Sequence, residues 1–155
     1  MTSTTTTATA YEFLPRITLG KVKTMRMCEG EALTAQVLCD GKPVAELEDH
    51  ADGGPVMCHH FGASIEKAHA NMDTLRDALG EDNLSHGRPS EDIMNRMIFE
   101  HDARKHAKKY FTLVQITDYG WRDIAFLKVG GKKVKANDPM IADWLARNPD
   151  AIYIA

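Results

Sequence analysis

The chain reads as an α+β domain built mainly on antiparallel sheet, and three observations carry that reading. Strand-like alternation opens the sequence, two helical periodicities fill its middle, and alternation returns after residue 110, so strands and helices are segregated rather than interleaved. Asp40-Gly41 sits between two alternating runs and is the strongest short hairpin signal present. Ser64 and Ser90 each precede a run whose apolar residues recur three and four apart, as in capped helices.

Met1 to Ala10 is almost entirely Thr and Ala and cannot bury enough surface to offset the entropy of ordering. It is expected to be a disordered tail, leaving residues 11–155 as a single domain. Ile17 and Leu19 alternate with polar neighbours, Gly20 breaks the parity, and Val22, Met25 and Met27 resume it, which predicts a strand with a bulge or bend at Gly20. Leu33, Ala35, Val37 and Cys39 share one face of the next strand. After the turn, Val44, Ala45 and Leu47 return to complete a three-stranded meander. The stretch from His50 to His60 is then a solvated loop, with Gly53-Gly54 free to take positive φ and Asp52 bonding its own backbone.

Ile65, Ala68, Met72, Leu75 and Leu79 form the stripe of a helix stopped by Gly80. A polar linker from Glu81 to Pro89 follows. The second helix carries Glu91 and Asp92 in its first turn and Arg104, Lys105, Lys108 and Lys109 near its end, as the helix dipole favours, with Ile93, Met94, Met97 and Ile98 inward. Phe111 to Thr117 and Ile124 to Val129 are the next strands, joined by a turn at Gly120. Gly130-Gly131 turns into Lys133-Val134-Lys135, Asp138 caps a short helix with Pro139 first and Ile141, Trp144 and Leu145 inward, and Ala151 to Ile154 closes the sheet.

At 155 residues, with 43% hydrophobic and 26% charged, the chain can hold a core without a disulfide or metal. Of eight methionines, Met25, Met27, Met72, Met94, Met97 and Met140 fall at apolar-patterned positions, which predicts a pliable core. Cys28, Cys39 and Cys58 make neither a CxxC pair nor an even secreted framework, so reduced thiols and a cytoplasmic location are expected, with Cys28 and Cys39 as small core residues. Nothing approaches the roughly eighteen apolar residues of a membrane span, and no membrane partner is expected.

Charge is uneven. From Glu29 to His60, seven acids (Glu29, Glu31, Asp40, Glu46, Glu48, Asp49, Asp52) stand against Lys42, a balance of -6. From His101 to Lys135, nine bases, including Arg104, Lys105, Lys108, Lys109, Lys132, Lys133 and Lys135, stand against three acids, a balance of +6. An acidic binding face on Glu29, Glu31, Glu46, Glu48, Asp49 and Asp52 and a basic one on those seven cations follow as expectations. The basic segment, with Tyr110, Phe111, Tyr119 and Trp121 beside it, could also meet nucleic acid, although no RNP, KH or helix-turn-helix pattern is present.

No motif that ties a spacing to a reaction is complete, so no catalytic residues are assigned. His50, Asp52, Cys58 and His59 are the candidate metal ligands, zinc being the ion that accepts all three residue types, but no CxxC or HxxxH pair frames them. His101 and His106, five apart, diverge around a helix, and His101 reads as a packed boundary residue.

The segment from Glu29 to Gly54 resembles a diffuse, largely uncharacterised family of small phage and prophage proteins. The likeness lies in an acidic lead-in at Glu29, an alternating strand through Leu33 and Ala35, the Asp40-Gly41-Lys42 turn, and a glycine-rich loop after the next strand. The later helix, the strand from Phe111 and the final helix with Asn148-Pro149-Asp150-Ala151 are similar to the family's remaining half. Asp52-Gly53-Gly54 stands where the family carries Gly-His-Gly-Gly, and Ala32-Leu33 replaces a Cys-Phe pair. The resemblance implies a phage or mobile-element accessory protein. Together with the missing catalytic pattern it leads to the expectation of a non-enzymatic, cytoplasmic protein that binds a host or phage macromolecule, such as a component of a CRISPR defence system, and inhibits it. Two alternatives stand beside it: a metal-dependent hydrolase or nuclease using the His50 to His60 loop, and a homo-oligomeric structural subunit.

Overall fold

The structure is a computed structural model that describes residues 11–117, 120–129, 132–133, 138–149 and 151–154, with side chains for 11–110, 138–149, 151, 152 and 154. The expectations for Met1 to Ala10, for the Gly130-Gly131 turn and for Val134 and Lys135 lie outside those residues. The fold is α+β with mainly antiparallel sheet. The chain falls into two compact units, Leu14 to His101 forming one, and the residues up to Phe13 with those from Asp102 on forming the other. No helix among the described residues is long and apolar enough to cross a membrane.

The first unit opens with a four-stranded antiparallel sheet in the order β1-β2-β3-β4, comprising β1 (Ile17–Met27), β2 (Gly30–Cys39), β3 (Lys42–Asp49) and β4 (Met57–His60). The register between β1 and β2 slips between Gly20 and Lys23, so the break in parity at Gly20 is a bulge. Asp40 (φ 51) and Gly41 (φ 82) both take the left-handed conformation that lets a two-residue turn follow the twist of its strands. Cys39 consequently faces Lys42 across the hairpin.

Helix α1 (Ile65–Leu79) begins where Ser64 accepts a hydrogen bond from the Lys67 N–H at 3.1 Å and ends at Gly80. Its Met72, Leu75 and Leu79 cover the sheet face that carries Val37, Ala45, Leu47 and Cys58. A hairpin of β5 (Leu84–Ser85) and β6 (Arg88–Pro89) leads to α2 (Glu91–Ala107), whose Ile93, Met94 and Met97 complete the same core. Ser90 accepts from the Ile93 N–H, as a cap should. Buried among these residues is Glu100, 1% exposed, which accepts from the Leu14 N–H and lies 3.7 Å from Arg96.

The second unit carries a sheet in the order β10-β7-β8-β9, from β7 (Phe111–Thr117), β8 (Gly120–Val129), β9 (Lys132–Lys133) and β10 (Ala151–Ile154). Helix α3 (Pro139–Arg147) is capped by Asp138 and buries Ile141.

Five local expectations are corrected. The meander has a fourth strand, β4, inside the stretch read as loop, because Val56 and Cys58 point inward and Met57 outward over too few residues to register as a pattern. The linker holds a hairpin, turned by His86 (φ 53) and Gly87 (φ 74). Ile65 is 78% exposed at the start of α1 and is no part of its stripe. Met25, Met27 and Met140 are exposed, so the methionine-rich core is confined to Met72, Met94 and Met97. Cys28 is exposed in the turn between β1 and β2, whereas Cys39 is buried.

Candidate functional site

Strand alternation decides what the first sheet shows to solvent. In β3, Ala45 and Leu47 point into the core, which sends Glu46 and Glu48 to the open face. Register then sets their neighbours: Glu48 pairs with Thr34 on one side and Met57 on the other, and Glu46 pairs with Gln36 and His59. Thr34 faces Lys23 on β1. Lys21 in the bulge joins Lys23, Thr34, Gln36, Glu46, Glu48 and His59 around a concavity of about 320 Å³ on the open face.

Glu48 is its best-connected group. With the carboxylate ionised and accepting only, His59 Nε2 lies 2.8 Å from one oxygen and His50 Nε2 3.3 Å from the other. All three side chains keep contact with solvent, so each is oriented without being removed from water. Such a bridge fixes geometry more than it adds stability, since exposed ion pairs contribute about 0–1 kcal/mol.

The predicted metal ligands do not gather as a set. His50 and His59 meet on Glu48, but the exposed Asp52 turns back to accept from the Gly54 N–H at 2.9 Å. Cys58 lies on the opposite, buried face of β4 from His59, and burial pushes its thiol up from its ordinary 9.0 to about 11. At pH 7 roughly one thiol in ten thousand is then a thiolate, the form that ligates metals and attacks carbon. Among the described residues no three His, Cys, Asp or Glu side chains stand close enough to hold an ion.

The predicted acidic face is spread out. Glu46 and Glu48 line the concavity, Glu29 and Glu31 lie at the exposed end of the β1–β2 hairpin, and Asp49 accepts from the Ala51 N–H at 3.0 Å. Asp40 is paired with Arg16 at 2.8 Å, and this bidentate partner holds its carboxyl below the usual range. Lys21 and Lys23 precede the acidic segment in sequence, yet antiparallel pairing brings them to the concavity that Glu46 and Glu48 line. The signal that could have found them is the pairing of a bulged basic strand with the acidic meander. Met25, Met27 and Met57 also stand on the open face, by alternation from Lys23 and by pairing with Glu48.

The predicted basic face belongs to the second unit. Arg104 lies 4.4 Å from the centre of the Phe13 ring, close enough for a cation–π contact, and Lys105, Lys108 and Lys109 are exposed. Lys132 and Lys133 form β9, paired with Val129 and Lys128. His106 donates from Nδ1 to the Asp102 carbonyl at 2.7 Å, and His101 is half-buried. Lys135 lies outside the described residues. Acidic and basic segments thus fall in different units of the chain. Comparison with protein-family models, curated proteins and solved structures finds no match for this chain.

Proposed function

We propose that this chain is a phage or mobile-element accessory protein that acts by binding a protein of host or phage, without a reaction of its own, and that a host defence complex such as CRISPR is the class of target it inhibits. The observation that carries the binding reading is the open face of the first sheet, where oriented charges (Lys21, Lys23, Glu46, Glu48 and His59) surround a shallow concavity and three methionines stand in solvent. Charged groups arranged on a rigid sheet steer and select partners, and methionine adapts to varied apolar surfaces. The phage origin rests on the resemblance of Glu29 to Gly54 described above.

The test is capture of a partner from the natural host with the full chain, followed by measurement of the purified complex across salt. Affinity is expected to fall about tenfold or more between low and moderate ionic strength. Glu46→Lys with Glu48→Lys is expected to weaken the complex and its salt dependence together. A complex indifferent to both salt and these substitutions overturns the reading.

A further inference from the structure

We infer that the outer edge of β1 takes up an acidic, extended segment of a protein partner as an added strand, an inference that rests on the protein-binding reading above. β1 is eleven residues long and ends the strand order, and among the described residues no strand bonds its outer side. β3 accompanies β2 only from Leu33 to Cys39, so Met25 to Met27 continues beyond the sheet as half of a two-stranded ribbon with Gly30 to Ala32. That ribbon is exposed or half-exposed along its length. Backbone donors and acceptors on such an edge can pair with any extended chain, and side-chain chemistry then decides which.

The chemistry here is cationic. Between Ile17 and Met27 stand Lys21, Lys23 and Arg26 with no acid, and among the described residues none of the three is in an ion pair. Lys21 is held in the bulge at φ 44, a conformation glycine would adopt more easily, so a cation is kept where backbone sterics oppose it. Glu46 and Glu48 do not cancel this attraction. An added strand would lie about 5 Å from β1 and about 14 Å from β3, beyond the screening length of about 8 Å at physiological salt.

A second copy of the chain is the wrong occupant. Antiparallel pairing of β1 with itself would bring six cations and no acid onto one shared edge, and like charges facing one another destabilise a pair. An acidic strand meets the same residues as counter-charges. Met25 and Met27, 65% and 47% exposed, offer its apolar side chains a compliant surface.

The probe is a blocked ten-residue peptide alternating glutamate and valine, added to the full chain and followed by fluorescence anisotropy and amide hydrogen exchange. Binding with slowed exchange over Lys21 to Met27 is expected. Two controls should each bind about tenfold more weakly or worse: a lysine–valine peptide of reversed charge, and a glutamate–valine peptide N-methylated at every residue, which keeps the charge but lacks amide donors. Lys21→Glu, Lys23→Glu and Arg26→Glu together should cost a similar factor, with unchanged exchange in α1 showing that the variant is folded. Equal binding of either control, or unaltered exchange in β1, overturns the inference. A salt-sensitive complex with the native partner that survives reversal of the three β1 charges removes the strand-addition site and leaves the binding reading standing; a captured complex insensitive to salt and to the Glu46 and Glu48 substitutions removes the reading itself.

Discussion

Cys58 and His59 are adjacent in sequence and lie on opposite faces of β4, and that single alternation separates a core group from a surface one. His59 reaches Glu48 in solvent, while Cys58 packs beneath it with Leu47 as its cross-strand partner. Burial raises the Cys58 thiol to about 11, because the apolar surroundings oppose the thiolate. The folded state therefore holds its proton more tightly than the unfolded state does. Stability tied to the neutral thiol is complete below the ordinary value of 9.0 and is lost as pH rises from there through about 11. Denaturant unfolding of wild type and Cys58→Ala across that window is expected to show a steeper decline for wild type, and equal slopes would count against the buried thiol. At pH 8, iodoacetamide should modify the exposed Cys28 well before Cys39 and Cys58.

Elements were legible where a local rule had enough residues to act on. The bulge at Gly20, the Asp40-Gly41 hairpin, the caps Ser64, Ser90 and Asp138 and the stop at Gly80 all stand where local chemistry predicts them. β4 was hidden because its four residues form a strand only by pairing with β3, a long-range decision that no local pattern announces. Only part of the candidate site could be read for the same reason: Glu46 and Glu48 were visible as acids, but their cationic neighbours come from a strand more than twenty residues earlier. The passage from β4 into α1 carries a further constraint. A Cβ on Gly62 would sit 2.6 Å from the Ala68 nitrogen, which is helix backbone and cannot rotate away. Gly62→Ala should therefore push α1 off its connection and destabilise the fold by about 1–3 kcal/mol, the usual cost of overpacking. Chemical denaturation measures this directly, and a variant as stable as wild type would show that the close approach is relieved at no cost.

On the scale of the whole molecule, an eleven-residue edge strand that has no partner on its outer side among the described residues, and that bears exposed methionines, invites self-association, and the distribution of charge answers that hazard. The local balance of +6 lies between His101 and Lys135 and includes no residue of β1. The defence is local: Lys21, Lys23 and Arg26, with a bulge between Gly20 and Lys23. Replacing Lys23 and Arg26 by threonine, and Lys21 by asparagine, which tolerates its positive φ, keeps the methionines and removes the repulsion between two copies. The triple variant should accordingly show a weight-average mass that rises with concentration in light scattering, beyond that of wild type under the same conditions, and added salt should narrow the difference by screening wild type's cations. A single Met25→Lys change placed on the triple variant should restore the wild-type mass, because it returns a charge to the same edge. If the triple variant instead matches wild type at every concentration, the cations are not what keeps copies apart, and the charge argument against a second copy on β1 falls with them.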